Sequence, residues 1–182
     1  MLKNYIVHEN YCNPVEFSII KQNFLNDRDL SITDKAAATI KTANVDIAPW
    51  MKCKRYMHPM IGVIFATNTR EFGLDLYQFT DYDTVNFNKY SSTNNGEYAW
   101  HKDSSDVSAL YDLKLTAVLN ISSEPYEGGE FEMFLEEPTR IPEIDIPGNL
   151  LIFPSWLYHR VKPVTKGTRE TISFWISGPK IR

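Results

Sequence analysis

The chain is poor in cysteine. Only Cys12 and Cys53 carry thiols, and they form no Cys-x-x-Cys pair. A secreted scaffold stapled by disulfides needs more, so two buried thiols in a reducing compartment are expected. Histidine is scarce as well, with His8, His58, His101 and His159 making up the whole set. No run of Lys or Arg stands out and the formal net charge is −4, which argues against nucleic-acid binding through a broad basic face. No apolar run approaches the roughly 20 residues of a membrane span. The N-terminal Met1-Leu-Lys-Asn-Tyr-Ile-Val-His8 lacks the sustained apolar stretch of a signal peptide. A cytoplasmic protein with no membrane segment is therefore expected. Repeats, low-complexity tracts and linkers are also missing. What remains is ordinary: 182 residues, 43% hydrophobic and 23% charged, enough for one domain with a sizeable core and too apolar for disorder.

The first third reads as helical. Asn13-Pro14-Val15-Glu16 has the form of an N-cap, a proline at the first helical position and an acid in the first turn. Phe17, Ile20 and Phe24 then recur on one stripe. Thr33-Asp34 opens an alanine-rich stretch, 35–42, that reads as a second helix. Pro59 to Thr67 is apolar on all sides and reads as a buried helix. From Phe72 the pattern turns to β. Leu74–Phe79 and Thr84–Tyr90 are short strand candidates, and Ser91–Gly96 and Ser104–Ser108 are polar loops flanking the strand around His101. Along 113–121 the odd residues Leu113, Leu115, Ala117, Leu119 and Ile121 share a face suited to packing on helices. The even residues Lys114, Thr116, Val118 and Asn120 suit a cavity wall. Glu127-Gly128-Gly129 reads as a turn, Phe131, Met133 and Leu135 as an inward set, Pro138–Pro147 as a connection and Leu150–Phe153 as a strand. A final hairpin runs 156–164, turns at Thr165-Lys-Gly167 and returns through 168–176. Helices followed by about eight short strands predict a mainly β protein, a double-stranded β-helix (jelly roll) backed by helices on one sheet. It forms one domain over 1–182, with 1–70 as helical support and 72–179 as the jelly roll.

The chemistry concentrates in Tyr98-Ala-Trp-His101-Lys-Asp103. His101 and Asp103 are two residues apart, so on a strand they point the same way. An imidazole and a carboxylate on one face make two-thirds of a facial Fe(II) site. His159 is the candidate third ligand, and Arg169 follows on the next strand. If Val164 pairs with Thr168 across the final turn, His159 faces Ser173 and Arg169 lies roughly 13 Å further along the same sheet. An extended arginine covers roughly half of that distance, and the remainder suits a five-carbon diacid with one end on the metal and the other on the guanidinium, whose planar fork suits a carboxylate. Arg169, Thr171, Ser173 and Trp175 share one face, while Glu170, Ile172, Phe174 and Ile176 share the other. If the apolar face packs, Arg169 points into the barrel, and a buried arginine implies an anionic ligand.

His101-x-Asp103, His159 and Arg169 together resemble the Fe(II)- and 2-oxoglutarate-dependent dioxygenases, in particular their prolyl 4-hydroxylase-like branch. Supporting phrases are Gly128-Gly129-x-Phe131, Leu151-Ile-Phe153-Pro154-Ser155, Val161-x-Pro163-Val164-x-x-Gly167-x-Arg169 and Phe174-Trp175. The resemblance covers residues 72–179 and implies that His101, Asp103 and His159 ligate iron and are catalytic. It implies that Arg169 binds the distal carboxylate of 2-oxoglutarate and that Tyr90 lies near it. A second tyrosine that some members supply to that carboxylate falls on Val118, leaving Thr116 or Ser173 to substitute. The implied cofactors are Fe(II), 2-oxoglutarate and O2, with ascorbate as reductant. The implied reaction hydroxylates a C–H bond of a prolyl or similar side chain in a protein, releasing succinate and CO2. Aspartate at position 103 favours hydroxylation over halogenation, for which members carry a small residue there.

Other readings accompany these. The same chemistry on a free amino acid or small metabolite is one alternative, and a non-catalytic, cupin-like metal-binding module is another. Tryptophan at 175, where the nucleic-acid dealkylating branch carries an arginine, counts against that branch. His8 and His58 read as structural, Trp100, Trp156 and Trp175 as core packing or substrate mouth, and Arg160 as solvent-facing. Tyr98, of opposite parity to His101, is expected to point away from the metal.

Overall fold

The structure is a computed structural model that describes residues 3–33, 40–104 and 110–180. In chain order its elements are β1 (Ile6–His8), α1 (Pro14–Asp27), β2 (Leu30–Thr33), β3 (Lys41–Thr42), β4 (Asn44–Pro49), α2 (Trp50–Thr67), β5 (Thr84–Ser91) and β6 (Glu97–His101). They continue as β7 (Tyr111–Asn120), β8 (Glu127–Gly128), β9 (Phe131–Phe134), β10 (Pro138–Arg140), β11 (Leu150–Pro154), β12 (His159–Val161), β13 (Val164–Lys166) and β14 (Thr168–Pro179). A seven-stranded major sheet runs β1-β11-β7-β14-β5-β4-β2, and a five-stranded minor sheet runs β10-β9-β12-β6-β3. The pair β13-β8 forms a third, two-stranded sheet. This is the expected jelly roll with helices behind one sheet.

The helices form for local reasons and are held by burial. Asn13 accepts from the N–H groups of Val15 (2.9 Å) and Glu16 (3.1 Å), while Glu16 accepts from the Asn13 N–H (2.7 Å), a reciprocal cap. Phe17, Ile20 and Phe24 of α1 are buried. They join Met57, Met60 and Ile64 of α2 and the outward side chains Leu115, Ala117, Leu119, Ile172, Phe174 and Ile176 of β7 and β14 in one core. A second core lies between the sheets and includes Tyr90, Val118, Phe131, Met133, Leu151, Phe153 and Val161. The major sheet is thus apolar toward the helices and mixed toward the cavity, as the alternation in β7 and β14 requires. No helix among the described residues is long and apolar enough to cross a membrane.

Several local expectations change. The first third is not wholly helical, because it supplies β1 to β4 to both sheets. Lys41–Thr42 is a strand paired with Tyr98 and Glu97; residues 35–39 of the expected second helix lie outside the described residues. Helix α2 starts at Trp50 and runs through Pro59. Its apolar stripe Trp50, Cys53, Met57, Met60, Ile61 and Ile64 is buried on one face, and that burial outweighs the roughly 3 kcal/mol an interior proline costs. Residues 74–79 form no strand; Tyr77 N–H simply donates to Ser177 O at 2.8 Å. Ser91–Gly96 is a tight turn closed by Gly96 N–H to Ser91 O (2.8 Å). Most of Ser104–Ser108 lies outside the described residues. The connection 138–147 contains β10 and a short 3-10 turn, Pro142–Asp145.

The final hairpin does not exist as a pair. β12 belongs to the minor sheet, β13 pairs with β8, and β14 crosses to the major sheet between β7 and β5. His159 faces His101 and Met133, not Ser173, and Arg169 faces Tyr90. The two residues therefore approach one cavity from opposite sheets.

Candidate active site

The candidate metal triad assembles on the minor sheet. β12 runs antiparallel to β6 with His159 opposite His101. The ring centroids lie 4.1 Å apart. Asp103 follows β6, its N–H donating to Ser155 O at 3.0 Å, which fixes its entry into the cavity. His101 Nε2 lies 3.7 Å from Asp103 Oδ1, and His159 Nε2 lies 3.5 Å from Asp103 Oδ2. Ligand atoms of all three residues lie within 4.8 Å of one another. A cation at roughly 2.1 Å from each donor fits such a spacing after small side-chain adjustments.

The tautomers are set by the backbone. His101 Nδ1 faces Ala99 O at 2.8 Å and His159 Nδ1 faces Leu157 O at 2.9 Å. A carbonyl can only accept, so each Nδ1 carries the proton and each Nε2 presents a lone pair to the cluster. Burial also favours the neutral rings. It lowers the His101 pKa to about 4, helped by the charge of His159 and more weakly by Lys41, against Ala99 O and Asp103. Burial lowers His159 too, against the pull of Asp103 and Leu157 O. Neutral imidazoles are what a metal needs. Phe131 and Phe153 pack on the His159 ring at 5.5 and 4.8 Å.

Thr116, expected as a partner for the co-substrate's distal carboxylate, sits at the metal end instead. Its hydroxyl donates to Asp103 Oδ2 at 2.7 Å and lies 2.9 Å from Ser155 Oγ. Because Thr116 spends its proton on Asp103, Ser155 is the donor in the second contact. Ser173 lines the same cavity and accepts from Asn88 Nδ2 at 3.1 Å.

Arg169 closes the other end. It is 1% exposed, and its Nε and Nη2 have no hydrogen-bond partner among the described residues. Its guanidinium lies 5.9 Å from the ring centroid of Tyr90, the residue directly across β5. Its field reaches Asp145, but that carboxylate accepts from Arg140 at 3.1 and 2.8 Å and from Phe131 N–H at 3.4 Å. Gly129 makes room for the arginine: its φ is +68°, and a Cβ there would lie 3.2 Å from Arg169 Cδ and 2.9 Å from Val164 Cγ2. A buried guanidinium with unmet donors costs about 1–3 kcal/mol that an anion would recover. The residues therefore fit a metal with a carboxylate-bearing co-substrate: two free imidazole lone pairs and a carboxylate at one end, an unsatisfied cation at the other.

Two bulges redirect side chains that alternation had assigned elsewhere. Between β12 and β6, His159 pairs with His101 and Val161 with Tyr98, so β6 holds one extra residue. Tyr98 consequently lines the cavity and stacks on His101 at 3.4 Å between centroids. Between β14 and β7, Ile176 pairs with Leu115 and Ser177 with Leu113, leaving Lys114 as the extra residue. Leu113 thereby loses the parity of the helix-facing set. Together with Tyr111 it lines an open groove of about 540 Å³ that also takes in Tyr77, Tyr82 and Trp175, and Trp175 also borders the cavity of the triad. Lys41 enters the cavity from β3 and had been missed within the alanine-rich stretch. Arg160 points away from the triad, donating to Glu132 at 2.7 Å and lying over Trp100 at 4.7 Å. His8 contacts Thr67 Oγ1 at 2.8 Å and has no place in the cavity.

Comparison with known proteins agrees with this geometry. Residues 85–177 match the 2OG-Fe(II) oxygenase superfamily. A PKHD-type hydroxylase of Aliarcobacter butzleri is 37% identical over 97 residues, covering 50% of this chain and 41% of that protein. One from Hyphomonas neptunium is 34% identical over 100 residues, 50% of this chain and 42% of its own length. The match thus spans about two-fifths of these relatives. Among solved structures, a Pseudomonas putida prolyl-4-hydroxylase superposes with a TM-score of 0.73 at 18% identity, covering 97% of this chain and 94% of that one. A Trichoplax adhaerens prolyl hydroxylase, in complex with a hypoxia inducible factor oxygen degradation domain peptide fragment, gives 0.71 at 16% identity, covering 95% and 83%. These two share the fold. With half of its length matched, and His101, Asp103, His159 and Arg169 all inside the match, the chain belongs to the 2OG-Fe(II) oxygenase superfamily.

Proposed function

We propose that this protein is an Fe(II)- and 2-oxoglutarate-dependent dioxygenase that hydroxylates a C–H bond in a polypeptide, at a prolyl or similar side chain. The observation that carries the reading is the pairing of a buried His-Asp-His triad with an unsatisfied buried guanidinium in one cavity. When bound, iron and 2-oxoglutarate would supply the oxidation: O2 is consumed, the oxo acid leaves as succinate and CO2, and C–H becomes C–OH. His101, Asp103 and His159 would hold the metal on one face and leave the other open. Thr116 would orient the carboxylate of Asp103. Arg169 would take the distal carboxylate of the co-substrate through two parallel hydrogen bonds, with Tyr90 against it and Ser173 along the wall. Val118, Phe131 and Val161 would keep water from the cavity. Ascorbate belongs to the same proposal as reductant.

A polypeptide substrate is supported by the groove beyond Trp175, whose tyrosines offer flat amphipathic surfaces to an extended chain. The peptide in the Trichoplax adhaerens complex shows that a protein of this fold accommodates one. Two buried free thiols, Cys12 and Cys53, fit an intracellular, reducing setting.

The test begins without oxygen. Fe(II) and 2-oxoglutarate added together should give the weak visible charge-transfer band of a metal-bound keto acid, absent in His159→Ala. Admitting air with a proline-containing peptide library should then give succinate and a mass gain of one oxygen on a peptide. Tight zinc binding with no band would remove the oxygenase reading. A band with hydroxylation of free amino acids alone would replace the polypeptide with a small substrate.

A further inference from the structure

The cavity holds a second buried cation that the roles above leave unused. Lys41 reaches it from β3, the edge strand of the minor sheet, and is 8% exposed. Its Nζ donates to Asn88 Oδ1 at 2.9 Å, and Asn88 Nδ2 donates to Ser173 Oγ at 3.1 Å. The ammonium lies 4.9 Å from the centroid of Tyr98, whose ring stacks at 3.4 Å on the metal ligand His101. Asn88 sits across from Thr171 and Tyr90 across from Arg169, which places Lys41 one inward-facing layer nearer the metal than Arg169.

We infer that Lys41 is a second anion-binding residue of the cavity, gripping the carboxylate at the keto-acid end of the co-substrate while Arg169 grips the distal one. This rests on the co-substrate reading proposed above. A lysine close to a metal triad disfavours a dication by like-charge repulsion. An anion lying between the two would be attracted to both. A 2-oxo diacid carries one carboxylate for each end, and an ammonium suits the metal end because it acts as a compact point charge that does not demand a fork-shaped partner. Asn88 fixes the head group, and the face of Tyr98 lies beneath the ammonium.

The experiment compares two keto acids on protein loaded with Mn(II), a redox-stable substitute for iron, by calorimetric binding without turnover. 2-Oxoglutarate has both carboxylates; 2-oxobutanoate has only the one beside the keto group. Lys41→Met should weaken both by the same factor, about 10-fold or more, and leave Mn(II) binding as tight or tighter. Arg169→Met should weaken 2-oxoglutarate alone. Lys41→Arg should recover most of the affinity. Lys41→Gln, which keeps a polar contact to Asn88, should behave like Lys41→Met, and Mn(II) binding no weaker than the parent's certifies that each variant has a folded site. Keto-acid affinities within twofold of the parent in both Lys41→Met and Lys41→Gln would overturn the inference and leave Lys41 as a wall residue. Parent protein that binds Mn(II) but neither keto acid would instead bring down the co-substrate reading itself, and this inference with it.

Discussion

The two ends of the cavity are built on opposite principles. At the end that carries the triad, each candidate metal ligand is tied from behind. Ala99 O and Leu157 O hold the histidines, and Thr116 and the Asp103 N–H contact to Ser155 O hold the aspartate. At the closed end Arg169 is buried with two nitrogens unmet. One end has its polar groups met within the fold; the other keeps donors that no described residue meets. The difference teaches where folding energy and binding energy part company: polar groups satisfied in the fold stabilise it, and those left unsatisfied are held in reserve for recognition.

The sharpest way to break this contrast is Arg169→Met. If the guanidinium serves the ligand, metal-free protein should melt no lower than the parent, and 2-oxoglutarate binding by metal-loaded protein should fall about 100-fold. A loss of several kcal/mol in metal-free stability would make Arg169 a structural residue and erase the distinction. The metal end predicts a pH signature instead. The folded-state pKa of His101 is depressed to about 4. Between that value and the ordinary value near 6.5 the unfolded chain binds a proton that the folded one does not, so stability is greatest above this window and falls as pH drops through it. Urea unfolding of metal-free protein should show a loss of about 2 kcal/mol from pH 7 to pH 5 through His101. A flat profile would mean that the ring is not held neutral.

Thr116→Val should weaken metal binding about 10-fold and leave the global fold intact, because it removes the proton that orients Asp103. Unchanged metal affinity would show the tie to be incidental. The smallest effect is expected at Gly129→Ala. Positive φ and the contact with Arg169 Cδ should together cost about 1 kcal/mol of stability, with a several-fold loss in 2-oxoglutarate affinity and none in metal affinity. Equal losses at both ends would deny their independence.

Much of the cavity was legible because alternation is local. Arg169, Thr171, Ser173 and Trp175 on one face of β14, with Ile172, Phe174 and Ile176 on the other, follow from a period of two and appear as expected. The cap at Asn13 was equally readable, since its partners lie within three residues. The hairpin geometry failed because a turn does not reveal whether the chain re-enters the same sheet or crosses to the facing one. Tyr98 and Leu113 failed because a bulge is a count of two residues against one, and the one belongs to a strand distant in sequence. Lys41 and Thr42 failed because helix-favouring alanines in 36–38 outweighed the pairing with β6, which propensity cannot sense.

By itself the sequence determined which side chains could ligate a metal, which strand faces were polar, and that an arginine would be turned inward. Each of these depends on residue chemistry and on spacings of a few positions. Tertiary structure alone decided that His159 and Arg169 meet from opposite sheets, that Thr116 serves Asp103, and that Tyr98 and Lys41 enter the cavity. Those outcomes depend on register between strands far apart in the chain, which is set by packing of the whole barrel and carries no local signal.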